Sequence, residues 1–205
     1  MITRELIVET GLRLFLKNGV KSITVDKIVK ELHTSKRTLY QHFGDKSALV
    51  KACLVEYNKS VAQENEEVLH SSENVIEALG RLLQRIVSRS HEVNPNFYTD
   101  VANYHPGLLT ESYEEAGQFA HKQFMFVAQW GLEDGIFRED LDIEIAGKTV
   151  AAMLKLCKDS RTFPSKDFST ERLTFAIILP YLRGNCTDKG SKLVTIQEEL
   201  FRVTI

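Results

Sequence analysis

Two short helical patterns, residues 25–32 and 36–42, are separated by only His33-Thr34-Ser35, and this spacing constrains the chain more than any other feature. In the first pattern Val25, Ile28, Val29 and Leu32 recur with the period of one helix face. Thr24 stands where an N-cap is needed, and Asp26 falls in the first turn, where the helix dipole favours an acid. Ser35 is placed to cap the second helix, whose packing face is Leu39 and Phe43 at i, i+4. Two helices joined by so tight a turn, the second basic and polar, form a helix-turn-helix. That unit sets its second helix in the major groove of DNA while the first crosses the phosphate backbone. The outer face of the second helix then needs donors, and Lys36, Arg37, Thr38 and Gln41 supply them. Tyr40 and His42 are expected toward a phosphate strand, with a core role as the competing reading for Tyr40. Lys46 lies just inside the next helix, where free backbone amides already favour a phosphate.

Helical patterning continues to the end of the chain. Ile7, Gly11, Leu14 and Phe15 mark a first helix stopped by Asn18-Gly19, and Asp45 caps a fourth running to about His70. A fifth helix carries Leu79, Leu82, Leu83 and Ile86 and stops before Asn94-Pro95. A short sixth covers about 96–104, and a seventh about 108–133, with Gly131 and Gly135 loosening the link to an eighth at 142–159. Phe163-Pro164-Ser165 reads as a loop, and Ser169 caps a ninth helix that Pro180 should kink or shorten. A final helix is expected over 190–202. No run alternates apolar and polar residues convincingly. The fold class expected is all-α, with nine to ten helices: a helix-turn-helix domain over 1–47 and a larger helical domain over 48–205.

Charge is distributed to match. Residues 1–50 hold nine Lys and Arg against five acids, a surplus of four, while the remainder holds seventeen bases against twenty-three acids. A basic end on an acidic body is the footprint of a nucleic-acid-binding head. No segment approaches the roughly 18 apolar residues of a membrane span. Met1-Ile2-Thr3-Arg4-Glu5 lacks a signal-peptide layout, and Cys53, Cys157 and Cys186 are unpaired by spacing, so a cytoplasmic setting is expected.

The stretch from Thr34 to Leu49, TSKRTLYQHFGDKSAL, resembles the recognition region of the TetR family of bacterial regulators. Phe15, Gly19, Thr24-Val25 and Ile28 fit that family's first two helices, and Gly135-Ile136-Phe137-Arg138 is similar to a turn after its seventh. The detailed match covers about the first quarter of the chain. The resemblance implies a homodimer through the last two major helices, a double-stranded DNA operator and a small-molecule effector held in the C-terminal domain. By position it implies DNA contacts at Thr24, Ser35, Lys36, Arg37, Thr38, Tyr40, His42 and Lys46. Three positions depart from the pattern: Val29 replaces a small Ala, His33 a turn Gly, and Arg37 a frequent Gly. Histidine tolerates the left-handed region better than most residues, though less well than glycine.

Ligand-contact candidates are Tyr98, Asn103, Tyr104, Gln123 and Trp130. Gln123 lies on a stripe with Ala116, Phe119, Ala120, Val127 and Trp130, where its amide either orients a ligand or bonds a neighbour in a filled core. Ile143, Ala146, Val150, Met153, Leu154 and Cys157, then Leu173, Ala176, Ile177 and Tyr181, form stripes wide enough for both core and dimer interface. No two of the six histidines stand at i, i+3 or i, i+4, so neither metal nor cofactor is expected. The chain lacks HExxH, P-loop, GxGxxG and GxSxG patterns, which argues against a small helical enzyme. The leading expectation is a ligand-released dimeric repressor. The alternative is a helical adaptor that has lost DNA binding.

Overall fold

A computed structural model describes residues 2–157, 162–164 and 166–201. These residues form eleven helices: α1 Arg4–Asn18, α2 Val25–Glu31, α3 Lys36–His42, α4 Lys46–Ser71, α5 Val75–Glu92, α6 Asn96–Tyr104, α7 Leu108–Glu133, α8 Ile143–Cys157, α9 Thr170–Gly184, α10 Asp188–Ile196 and α11 Glu198–Phe201. The all-α class is as expected, and the only strand-like feature among the described residues is an isolated antiparallel bridge between Phe137 and Cys186. No described helix is long and apolar enough to cross a membrane.

The chain divides into two compact units. One holds the residues up to Gln63 together with His91–Phe119; the other holds Glu64–Ser90 and the residues from Ala120 onward. In the first, Ile7, Phe15, Ile23, Ile28, Leu39 and Leu49 close a core that Phe97 and Val101 of α6 complete. Each such side chain contributes about 1.5–3 kcal/mol by leaving water. The contact with α6 is polar as well. The Lys21 amide donates to Asp100 Oδ2 at 2.7 Å, the Asn94 amide to the Leu16 carbonyl at 2.7 Å, and the Asn94 side chain to the Lys17 carbonyl at 3.2 Å. Gly19, which ends α1 with φ 78°, leaves no room for a side chain, since a Cβ there would sit 2.8 Å from Asp100 Oδ2.

In the second unit Val75, Ile76 and Leu83 of α5, Val127 of α7, Ile178, Leu179 and Leu182 of α9 and Val194 of α10 share a core with Ile136 and Phe137. The last two follow α7 through a tight reversal in which both their amides donate to the Gly131 carbonyl, at 2.8 and 3.0 Å. Gly131 does not loosen the chain. It lies within α7, and the Phe137 ring occupies the space a Cβ would need, at 2.3 Å.

Several boundaries differ from expectation. The final helical pattern breaks at Gln197, whose amide closes α10 on Leu193 and Thr195 carbonyls before α11 begins. Pro180 does not shorten α9, which continues to Gly184. The α7 stripe is only partly inward: Val127 is buried, whereas Phe119 and Ala120 are exposed. On α8 the expected stripe buries Ala146 and Cys157, but a second apolar face with Ile145, Ala152 and Leu156 stays exposed. Residues 158–159 of the expected eighth helix, Ser165 of the loop and residue 202 lie outside the described residues.

Candidate nucleic-acid interface

The turn between α2 and α3 is built locally. The Leu32 amide donates to the Ile28 carbonyl, His33 to Lys30 and Thr34 to Val29, at 3.0, 3.2 and 2.9 Å. This geometry requires a left-handed residue, and His33 adopts it with φ 49°, alone among the described non-glycine residues. Histidine is tolerated there at some cost in backbone energy. Thr24 caps α2, its hydroxyl accepting from the Lys27 amide at 3.3 Å. Ser35 caps α3, accepting from the Thr38 amide at 3.1 Å, and its hydroxyl lies 3.0 Å from that of Thr38.

With α3 so fixed, Leu39 and Phe43 face the core, and Lys36, Arg37, Tyr40 and Gln41 share the opposite, exposed face. Tyr40 is 45% exposed, far more than a core aromatic, while Phe43 is buried beneath the Arg4 guanidinium, 5.0 Å from its ring centre. Thr38 is half-buried and His42 is exposed at the end of the helix. Arg37 makes no ion pair among the described residues, and its guanidinium projects from the first turn. Lys36 instead pairs with Asp26 of α2 at 2.8 Å, and that hydrogen bond and charge hold its ammonium above the usual lysine range.

Lys46 is engaged differently from a free charge at a helix end. Its Nζ donates to the Val20 carbonyl at 2.7 Å and lies 5.8 Å from the Phe15 ring centre, and burial pulls its pKa down. An ammonium has three donors, so two remain beyond Val20. The start of α4 is also held by Asp45, whose Oδ1 accepts from the Ala48 amide at 2.8 Å, and by Ser47, whose hydroxyl lies 2.8 Å from His105 Nδ1. Sequence reasoning did not identify Asp26, Asp100 or His105 as supports of this face. Their partners lie ten to seventy-nine residues away in the chain, and no periodicity encodes such pairs.

Of the five ligand-contact candidates, Tyr98, Asn103 and Tyr104 belong to the first unit and Gln123 and Trp130 to the second. Tyr98 packs between Phe97 and Tyr113, with ring centres at 5.0 and 6.2 Å. Asn103 is exposed, and Tyr104 turns to the head, where Lys21 Nζ lies 5.3 Å from its ring centre and is held above the usual lysine range by a hydrogen bond to it. In the other unit the Gln123 carbonyl oxygen accepts from Asn65 at 3.2 Å, and Asn65 in turn accepts from Arg89. Arg89 and Arg85 both donate to one Glu64 oxygen. Trp130 lies beside Phe126 with ring centres 6.1 Å apart. Cys53 and Cys186 are buried, and desolvation pushes their thiols up to about 12 and about 11, which leaves them as packing groups rather than nucleophiles.

Residues 7–53 match the domain family of bacterial regulatory proteins, tetR family. The HTH-type transcriptional repressor KstR2 of Mycobacterium tuberculosis is 25% identical over 142 residues, which span 68% of this chain and 71% of that protein. The fold matches a transcriptional regulator from Cytophaga hutchinsonii with a TM-score of 0.75 at 16% identity, covering 89% of this chain and 98% of that one. It also matches a gamma-butyrolactone receptor, an ArpA-like protein, with a TM-score of 0.60 at 18% identity, covering 98% and 97%.

Proposed function

We propose that this chain, whose residues 7–53 match the tetR family of bacterial regulatory proteins and which is similar to the repressor KstR2, is a DNA-binding transcriptional regulator of that family and works as a homodimeric repressor that a small molecule releases from a double-stranded operator. The observation that carries the DNA half is the outward face of α3, where Lys36, Arg37, Tyr40 and Gln41 are exposed on a capped helix anchored by Leu39 and Phe43. Thr24, Ser35 and Thr38 position that helix and contact the backbone, and His42 reaches the flanking phosphate. Lys46 offers its two remaining donors to a phosphate at the start of α4. Arg37 reads a base edge, because it is the cation at the head of α3 not neutralised by a carboxylate, as Lys36 is by Asp26. Residues 1–47 carry this surface, and residues 48–205 carry effector binding and dimerisation.

The dimer uses α8 and α9. Ile145 is 62% exposed and Leu156 40%, with Ala152 between them on one face of α8, and Ala176 and Pro180 are exposed on α9. Apolar faces of this kind are covered in stable proteins, and a two-fold axis lets one chain cover another with the same surface. Two heads so joined read half-sites about 34–36 Å apart. An effector acts by its differential affinity for spacings that fit and do not fit DNA. The gamma-butyrolactone receptor with the same fold supports a small-molecule effector for this chain, with Tyr98, Asn103, Tyr104, Gln123 and Trp130 as the first residues to vary. Such a protein acts by binding in the cytoplasm and carries out no catalysis.

Selection of an operator from a duplex library, followed by titration of Arg37→Ala, tests the reading. Arg37→Ala is expected to lose about 1–3 kcal/mol on the selected operator and much less on random duplex. Equal losses on both would remove Arg37 from base reading, and an unselectable library would remove the operator.

A further inference from the structure

Where α4 ends and α7 approaches its own C-terminus, Leu69, His70, Ser72, Phe126, Gln129, Trp130 and Glu133 line a groove of about 510 Å³. Its α7 wall is a single stripe at i, i+3, i+4 and i+7. Leu69 is buried beneath it, whereas Phe126, an aromatic ring that would gain from burial, is 50% exposed. The rings of Phe126 and Trp130 are tilted by 51° with centres 6.1 Å apart, and His70 adds a third ring 6.5 Å from Phe126 at 43°. At the rim the Gln129 side chain donates to Glu133 Oε1 at 2.8 Å, which orients an exposed carboxylate that has no cationic partner among the described residues. No Lys or Arg lines the groove. Arg81 donates to Ser72 Oγ at 3.1 Å, but its guanidinium is already held by Glu77 and the Ser71 carbonyl.

We propose that this groove binds an organic cation with an apolar body, such as a substituted ammonium. Aromatic faces carry a negative quadrupole that attracts a cation within about 6 Å of the ring centre, and recognition of quaternary ammonium groups by clustered rings is its main use. The Glu133 carboxylate adds the compensating charge. An anion would meet the same carboxylate and ring faces unfavourably, and a neutral apolar body would desolvate Glu133 without pairing it. The volume falls within the roughly 300–1,000 Å³ of small-molecule sites. Binding here stands by itself; only its role as the effector site rests on the proposed function.

Trp130 is the single tryptophan of the chain, so intrinsic fluorescence reads the groove directly. The full-length protein, without DNA, is titrated at pH 8 with benzyltrimethylammonium, and in parallel with benzyl alcohol as a neutral probe and phenylmethanesulfonate as an anion. A saturable change is expected for the ammonium alone. Phe126→Ala is expected to weaken it about five-fold or more, within the range of exposed to desolvated cation–π contacts, and Glu133→Gln, which alters an exposed side chain, by about two- to five-fold, the range of an exposed ion pair. The far-UV circular dichroism and thermal midpoint of Glu133→Gln should match the parent. An equal response to the neutral probe, no response to the ammonium up to about ten times the millimolar range of weak fragments, or unchanged binding by a folded Glu133→Gln would overturn the proposal. Sedimentation at the titration concentration closes the remaining alternative: a self-association that alone moves the Trp130 signal would assign the groove to a second copy of the chain. Because no DNA is present, failure here is separable from failure of the regulator reading.

Discussion

His105 is a buried imidazole whose Nδ1 lies 2.8 Å from the Ser47 hydroxyl at the start of α4. Burial lowers its pKa below the ordinary 6.5, the nearby Lys46 ammonium lowers it further, and Asp45 opposes them. A lowered folded value means the unfolded chain binds the proton more readily, so the stability from neutral His105 is complete above pH 6.5 and is lost as pH falls through the folded value. Urea denaturation from pH 5 to pH 8 is therefore expected to show a decline on the acid side that His105→Gln reduces. Parallel curves for the two proteins would contradict this assignment. At this scale the sequence was legible wherever the physics is local. Thr24, Ser35, Asp45 and Ser169 act as caps, each bonding an amide three residues on, and His33 occupies the left-handed turn position. The Lys36–Asp26 pair and the Lys46–Val20 bond were not legible, because they depend on how separate helices come together.

Among the elements, the reversal after α7 is the most tightly specified. Gly131 lets the Phe137 ring lie on the helix, with a Cβ position only 2.3 Å from the ring, and Gly135 supplies φ 64° for the turn. Gly131→Ala must displace a ring packed in the core, so it is expected to destabilise by about 1–3 kcal/mol, the usual cost of overpacking, despite the better helix propensity of alanine. Chemical denaturation checks this, and an unchanged midpoint would show that Phe137 moves freely. Helix identity and most helix limits could be read from periodicity and stops. What an apolar face meets could not. Periodicity marks the α7 and α8 stripes as apolar, yet Phe119 of the α7 stripe is exposed in the single chain, and so are Phe126, Ile145 and Leu156, which lie off the stripes read from the sequence. The break at Gln197 was equally hidden, since the apolar pattern runs on from Val194 to Phe201 and both are buried.

For the whole molecule, the charge surplus of four in residues 1–50, set on an acidic remainder, predicts attraction to a polyanion that salt screens. The capped, outward-facing α3 gives that attraction a register. A homodimer doubles the phosphate contacts, so even one phosphate-bound cation per head, from the spare donors of Lys46, implies a slope of log affinity against log salt at least as steep as about −2. The measurement that tests the account most directly is a titration of a labelled, selected duplex with the full-length protein at several salt concentrations. Beside it runs the folded Lys36→Ala/Arg37→Ala/Lys46→Ala variant. Tight binding by the parent, a slope at least that steep, and loss of binding by the variant are expected. Absence of binding to any duplex by the folded parent, or a binding constant indifferent to salt, would contradict it.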